Sequence, residues 1–171
     1  LMDHQRFSFF DAVENLAERF HVHLEKMEKE EEKGPSRKEM RRALDLACRL
    51  YHTLLLHTPE GHHALAYLAK RGIDLEFVRR FEIGFASRNP EILSSILAAQ
   101  GISDEIAEAC GLKAKGRDFF ADRIMFPIRA STGHVIGFSG RKFKEETFGG
   151  KYVNTQETPL FKKSRVLFGL N

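Results

Sequence analysis

The sequence is poor in the features that stabilise small extracellular proteins and membrane proteins. Its 171 residues include only 2 cysteines, Cys48 and Cys110. Both fall within helical apolar patterns, which indicates packed, reduced thiols of a cytosolic protein rather than a disulfide framework. No apolar run approaches the roughly 20 residues that span a bilayer, and no signal-peptide pattern begins the chain. With 42% hydrophobic and 30% charged residues, the composition is typical of an ordinary soluble globular protein.

The motifs of several enzyme classes are also missing. The chain contains no C-x-x-C pair, G-x-S-x-G pattern, G-x-G-x-x-G fingerprint or P-loop. His21 and His23 are two residues apart and His62 adjoins His63, so neither pair shares a helix face as metal-binding i, i+4 histidines do. Adjacent carboxylates are better explained as charges at helix N-termini or in loops. The residues therefore predict neither a metal site nor a catalytic residue in this chain.

Acidic residues are scarce in the C-terminal third. Residues 113–171 hold 12 Lys or Arg against 5 Asp or Glu, whereas residues 1–112 hold 15 against 19. The formal net charge of +3 therefore combines a basic part with a mildly acidic one. A basic face is typical of polyanion binding, and a solvated basic surface without a partner would give the same count.

Capping signals and apolar spacing divide the chain into three parts. An N-cap residue, followed in two cases by proline, recurs through the first two thirds and predicts a series of helices. The predicted N-caps are Ser8, Thr58, Asp74, Asn89 and Ser103, and the longest helix is predicted at about residues 36–56. The parts are residues 1–35, a terminal helix and charged linker; residues 36–112, a helical unit; and residues 113–171, a basic, β-rich unit.

The apolar period changes from helical to alternating after residue 119, which predicts strands. The predicted strands, including one short strand among the helices, are 82–86, 124–128, 135–139, 151–154 and 165–170. Pro127 predicts an edge position or a bulge in its strand, and Phe126, Phe138 and Phe168 are predicted to be core residues. Helices followed by strands favour an α+β fold, in which a linker helix and short helices precede a small mixed or antiparallel sheet.

Positive charge and aromatic rings are interleaved in GRKFKEETFGGKYVNT, residues 140–155. Neighbouring short strands could bring the basic side chains of this part to one face; these are Arg123, Arg141, Lys151, Lys162, Lys163 and Arg165. Asn154 could donate to a phosphate or a base edge, and Tyr152 could stack on a base. Backbone amides freed by Gly149 and Gly150 could add phosphate donors. This pattern favours nucleic-acid binding over a solvated hairpin.

Two long stretches, FFADRIMFPIRASTGHVIGFSGRKF and KYVNTQETPLFKKSRVLFGL, resemble the N-terminal half of the RNA polymerase domain of bacterial DnaG-type primases. The shared spacings include F-x-x-R-I-x-F-P-I, a G-x-V-I-G-F segment ending in G-R, and K-Y-x-N-S/T-x-E-T. YLAKRGIDLEFVRRFEIGFA is similar to a further pattern of that family, and SFFDAVENLAERF to the helix that closes its zinc module. The resemblance covers nearly the whole chain.

The resemblance implies a face that holds single-stranded template and RNA–DNA hybrid. The motif positions that would do so here are Arg123, Arg141, Lys151, Asn154 and Lys163, with Arg71 as a further candidate. It implies that the parent protein is a DNA primase, a nucleotidyltransferase of the cytoplasmic, nucleoid-associated replication machinery that works with the replicative helicase through regions outside this chain. It also places the zinc ligands before Leu1 and the Mg²⁺-binding TOPRIM acids after Asn171. The isolated chain is therefore expected to bind template and to be catalytically incompetent.

Two other interpretations remain open from the sequence. The chain could be a free-standing, non-enzymatic single-strand-binding module that uses the same face. Alternatively, helices within residues 36–110 could dock a protein partner while the basic region only solubilises the chain. Binding to single-stranded DNA, and its loss when basic residues are replaced, separates these possibilities.

Overall fold

A computed structural model describes residues 34–163, and in this range the helices precede most of the strands. The helices are α1 Arg37–His57, α2 Pro59–Lys70, α3 Leu75–Arg80, α4 Pro90–Ala99 and α5 Asp104–Ala109; the strands are β1 Gly84–Ala86, β2 Lys113–Ala114, β3 Arg117–Asp118, β4 Arg123–Arg129, β5 Val135–Arg141 and β6 Tyr152–Asn154. The helix capped by Ser8, Phe168, Arg165 and the strand at 165–170 were predicted outside the described residues. The α+β prediction is confirmed.

Local capping chemistry fixes where the helices begin. Ser36 forms a reciprocal capping box with Glu39 at the start of α1, so two backbone donors at that end are satisfied. The predicted N-caps within the described range also hold, since the side chains of Thr58, Asp74, Asn89 and Ser103 each accept a hydrogen bond from a backbone N–H of the following turn. Capping depends on residues close in sequence, which explains why these starts were readable.

The main sheet is antiparallel, with the strand order β1-β4-β5-β6. The predicted turn at residues 131–134 joins β4 to β5, and Gly133 there has a φ of +88°. A second pair, β2 with β3, was not predicted. Its strands have two residues each, too short to show an alternating pattern.

Pro127 lies in a central strand, which corrects one form of the prediction. β4 is flanked by β1 and β5, but β1 pairs only with Arg123, Ile124 and Met125. The part of β4 that contains Pro127 therefore has β5 as its one neighbour in the described sheet, and the pairing shifts register between Ile128 and Arg129. A missing N–H is tolerated at such a position because no ladder bond is needed on the open side.

Two apolar clusters cover the two faces of the sheet. One includes Met125 and Phe138 and packs against α1, α4 and α5; the other includes Phe85 and Ile124 and packs against α2 and the C-terminal end of α1. Phe138 is buried as predicted. Phe126 is only half-buried, at the margin of the second cluster.

The close approach of α1 to its neighbours depends on small residues. A Cβ on Gly61 of α2 would lie 2.1 Å from the carbonyl oxygen of Leu54, and one on Gly84 of β1 would lie 2.5 Å from the Cβ of Tyr51. Any larger residue at either position would push α1 away. Across residues 34–163, no helix combines the length and apolar character needed to cross a membrane.

Candidate nucleic-acid interface

Cations and aromatic rings from two distant parts of the chain meet where α2 lies against β5 and β6. The guanidinium carbon of Arg141 is 5.6 Å from the ring centroid of Tyr67 and 5.3 Å from that of Tyr152. The guanidinium carbon of Arg71 is 4.7 Å from the Tyr67 centroid, and the ammonium of Lys151 is 6.0 Å from the Tyr152 centroid. We call these five residues the cation–aromatic cluster.

The secondary structure accounts for this arrangement. Tyr67, near the end of α2, and Arg71, its C-cap, are an i, i+4 pair and so lie on one side of the helix. Arg141 at the end of β5 is the direct register partner of Tyr152 in β6, and directly opposed residues of an antiparallel pair point to the same face. An Nη1 hydrogen of Arg141 is donated to the hydroxyl of Tyr152 over 3.0 Å.

The donors of Arg141 are not all used within the described residues. Its Nε is buried and has no hydrogen-bond partner there, although the residue as a whole is half-buried. Lys151, Tyr152 and Arg71 are exposed. The cluster therefore presents two guanidinium groups, an ammonium and a ring at the surface, which are the groups that contact phosphates and unpaired bases.

Arg123 differs from the prediction. Only 3% of the residue is exposed, and its guanidinium donates to backbone carbonyls of Gly140 at 3.2 Å, Lys151 at 3.4 Å and Phe148 at 2.8 Å. Burial lowers the pKa of this guanidinium, while the charge of the adjacent Asp122 opposes the shift. Arg123 is thus occupied in holding the chain between β5 and β6, because the main-chain carbonyls surround it before any phosphate could.

Asp122, which sequence reasoning missed, lies beside Arg123 and ties down the same loop. Its carboxylate accepts hydrogen bonds from Lys144 at 3.1 Å, Thr147 at 2.9 Å and Arg88 at 3.0 Å. Burial raises the pKa of Asp122, but the hydrogen bonds from Lys144 and Thr147, the charge of Lys144 and the hydrogen bond from Arg88 outweigh it, so the pKa lies below its ordinary value. We call Asp122 and Arg123, together with their hydrogen-bond partners, the loop anchor.

The glycines of this region serve the anchor. Gly149 has a φ of +92°, and a Cβ there would lie 3.1 Å from the Nη2 of Arg123. A Cβ on Gly140 would lie 3.1 Å from the Cδ of Arg123 and 2.9 Å from the ring of Phe120. The structure thus gives these glycines an internal steric role, next to the phosphate-donor role predicted for the amides at 149 and 150.

The remaining predicted residues are exposed but lie outside the cation–aromatic cluster. Asn154 pairs with Ser139 and lies on the same face of β6 as Tyr152, since alternate residues of a strand share a face. Lys162 and Lys163 follow the buried Phe161, and the backbone N–H of Lys163 donates to Glu157 over 2.7 Å. The described contacts include none that joins either lysine to the cluster.

Two functional candidates were missed for different reasons. The signal for Tyr67 was present, because Y-L-A-K-R places an aromatic ring and a cation at i, i+4. Asp122 carries no such signal, since its donors come from three separate segments. In the described part of the chain, no group of three or more His, Cys, Asp or Glu residues is arranged to hold a metal ion.

The fold and this surface define the class of the molecule: an α+β domain with a cationic and aromatic patch on one face of its sheet. A family model described as the N-terminal domain of the DNA primase catalytic core matches residues 51–171. The chain belongs to this family, which confirms the resemblance to DnaG-type primases.

Known relatives agree with this assignment. The DNA primase of Chlamydia trachomatis serovar D is 46% identical over 170 residues, a match that covers 99% of this chain and 28% of that protein. The RNA polymerase domain of Mycobacterium tuberculosis primase DnaG, solved in complex with a double-stranded DNA oligomer with a 6-nucleotide overhang, superposes with a TM-score of 0.72 at 36% identity, covering 77% of this chain and 42% of that one. A DnaG primase catalytic domain bound to single-stranded DNA gives a TM-score of 0.66 at 33% identity, covering 76% and 41%. The chain thus spans less than a third of the curated relative's length.

Proposed function

We propose that this chain is the template-binding part of a bacterial DNA primase, a protein that makes short RNA primers on single-stranded DNA in replication. Two facts support the proposal. The chain belongs to the primase-core family, and related primase domains have been solved with DNA. Its own contribution would be to hold single-stranded template and RNA–DNA hybrid on the sheet face that carries the cation–aromatic cluster.

The cluster is the observation that carries this proposal. A guanidinium stacked between Tyr67 and Tyr152 is held in one orientation at little entropic cost, and the neighbouring cations of Arg71 and Lys151 raise the local positive potential. A buried Nε without a partner gives Arg141 a donor for an anionic oxygen. Phosphate contacts of this kind hold a strand without reading its sequence.

Nucleotidyl transfer would belong to the whole primase rather than to this chain. In the proposed parent, Mg²⁺ held by TOPRIM acids and Zn²⁺ held by a zinc module would lie in other segments, as would the contact with the replicative helicase. The parent protein would work in the bacterial cytoplasm. The isolated chain is expected to incorporate no ribonucleotides on a template with Mg²⁺ present, and incorporation would contradict this part of the proposal.

The test is a fluorescence-anisotropy titration of labelled single-stranded DNA over a series of salt concentrations. The double variant Arg141→Gln with Lys151→Gln removes two cluster cations. We expect weaker binding and a plot of log affinity against log salt that is shallower by about 1 to 2 units, since each lost phosphate contact removes about 0.7 to 1 unit of slope.

The matched control is Lys38→Gln with Arg49→Gln, which makes the same charge change on exposed residues of α1. It should leave the salt slope within error of wild type if the cluster is the binding surface. Equal loss in both double variants would indicate a diffuse charge effect. Equal affinity of wild type and the cluster variant would instead favour the protein-docking interpretation, through the exposed Leu75, Phe77 and Phe81 around α3.

A further inference from the structure

Phe148 is the one large apolar side chain of the described chain that is almost completely exposed. It is 97% exposed, whereas the other exposed large apolar side chains lie between 36% and 51%. A phenylalanine left in water forgoes roughly 1.5 to 3 kcal/mol of burial. The ring lies in the segment 142–151 between β5 and β6, three residues before the cluster member Lys151.

The backbone around Phe148 is fixed by the loop anchor. The carbonyl of Phe148 itself accepts the 2.8 Å hydrogen bond from Arg123. The preceding Thr147 is buried, with its hydroxyl donated to Asp122 over 2.9 Å. Thr147 also donates its N–H to the carbonyl of Lys144. Both the Phe148 peptide and its neighbour are therefore tied to buried charged groups.

The rest of the segment is fixed in the same way. Lys142 donates its N–H to the carbonyl of Lys151 over 3.0 Å, which closes the base of the loop. The ring of Phe143 packs near those of Phe85 and Tyr67 at centroid distances of 6.0 and 5.9 Å. One aromatic of the loop is thus packed inward beside the cluster, and Phe148 is left outward on a tethered backbone.

A single exposed phenylalanine on a protein surface is common and by itself implies nothing. Here it combines a tethered backbone with cations and the exposed ring of Tyr152 close by in sequence. Rigidly presented rings interleaved with cations are the composition of surfaces that bind single-stranded nucleic acids, where each base stacked on a ring contributes roughly 1 to 3 kcal/mol.

We infer that Phe148 is a nucleobase-stacking residue, which extends the phosphate-binding surface by a site for an unpaired base of the strand. This inference rests on the proposed function, since it needs a single strand on the cation–aromatic cluster. The base would stack through its π face, so the site should accept any of the bases. The loop anchor acts as the positioning element that keeps the ring in place.

The experiment compares Phe148→Ala, Phe148→Tyr and the control Phe77→Ala, which removes a ring that is 45% exposed on α3. Each protein is titrated against labelled single-stranded DNA and against the same strand carrying several abasic positions. We expect Phe148→Ala to weaken binding to the intact strand about fivefold or more, which is the fold-change for a loss of about 1 kcal/mol. Phe148→Tyr and Phe77→Ala should bind within about twofold of wild type.

Two readouts separate stacking from a general structural effect. The salt slope of Phe148→Ala should equal that of wild type, because the ring contacts no phosphate. Wild type should bind the abasic strand more weakly than the intact strand, whereas Phe148→Ala should distinguish them much less. An unchanged thermal midpoint of Phe148→Ala is expected from its exposure.

The failure of this inference differs from the failure of the proposed function. If wild type binds single-stranded DNA with a steep salt slope but Phe148→Ala binds equally well, only the stacking role is overturned. Equal losses on intact and abasic strands would overturn it too. If wild type does not bind single-stranded DNA, both the proposed function and the stacking role fall. A change only in self-association of Phe148→Ala would assign the ring to a protein contact instead.

Discussion

Asp118 and Asp122 are near neighbours in sequence but lie in opposite electrostatic environments. Burial raises the pKa of Asp118 to about 6, a shift that the charge of Lys113 opposes and that of Asp104 adds to. Its Oδ1 is buried and has no hydrogen-bond partner among the described residues. The pKa of Asp122 moves the other way, because its three donors outweigh the burial.

The difference shows what converts a buried carboxylate into a structural anchor. Desolvation disfavours the charged form of both residues, and only convergent donors can reverse the balance. Lys113, the cation nearest to Asp118, gives its ammonium to Asp104 instead, over 2.7 Å. The region around Asp118 therefore depends on apolar packing, whereas the loop between β5 and β6 depends on charge-assisted hydrogen bonds, which are stronger than neutral ones.

The largest effect is expected from Arg123→Lys, which keeps the charge of the loop anchor and removes its planar fork. A lysine ammonium cannot reach the carbonyls of Gly140, Phe148 and Lys151 in the same geometry, so buried acceptors lose their donors. We expect a loss of about 3 kcal/mol in the free energy of unfolding, measured by urea denaturation.

The control for this change is Arg117→Lys, which makes the same replacement at an exposed residue of β3 and should alter stability by less than about 0.5 kcal/mol. A loss in Arg123→Lys no larger than in the control would show that the carbonyl contacts contribute little. Such a result would remove the contrast between the two regions.

Asp122→Asn is expected to have a smaller effect. The residue has a φ of +55°, a conformation that asparagine also tolerates, so the change removes charge without straining the backbone. We expect a loss of about 1 to 2 kcal/mol near neutral pH, because hydrogen bonds to a charged acceptor become neutral ones. The control Glu146→Gln removes one negative charge from an exposed position in the same loop.

The pH dependence of Asp122→Asn tests the cause. The pKa of Asp122 is lowered in the folded state, so its stabilising contribution is fully present above the unfolded-state value of about 3.9 and is lost as the pH falls through the lower folded-state value. Wild type and variant should therefore converge in strong acid. A difference that stays constant down to that range would point to packing rather than charge.

The smallest effect, and one of opposite sign, is expected from Asp118→Asn. Removing the charge should stabilise the protein above about pH 6 by about 1 kcal/mol or less, after allowance for partial exposure to solvent. Because the folded-state pKa is raised to about 6, wild type gains stability as the pH falls from 6 towards about 4, and the advantage of the variant should vanish below that.

The check is a set of urea denaturation curves at several pH values, with Glu105→Gln as the control at an exposed carboxylate of α5. Destabilisation by Asp118→Asn near neutral pH would mean that the carboxylate has a partner it needs. In that case the two aspartates would be alike, and the contrast between their environments would disappear.

The sequence by itself determined the features that depend on near neighbours. Helix starts were readable because Thr58, Asp74, Asn89 and Ser103 cap backbone groups within the next turn. The α+β class and the family followed from periodicity and from motifs of fixed spacing, and these are properties of the chain alone.

The tertiary structure decided which charged side chains face outward. Arg123 and Arg141 share the same kind of motif position in the sequence, yet β4 carries one into the interior and β5 carries the other to the cation–aromatic cluster. The convergence of Arg88, Lys144 and Thr147 on Asp122, and of Tyr67 with Arg141, joins segments that are far apart along the chain. Burial and long-range pairing of this kind depend on how the helices and strands pack, which no local pattern of residues encodes.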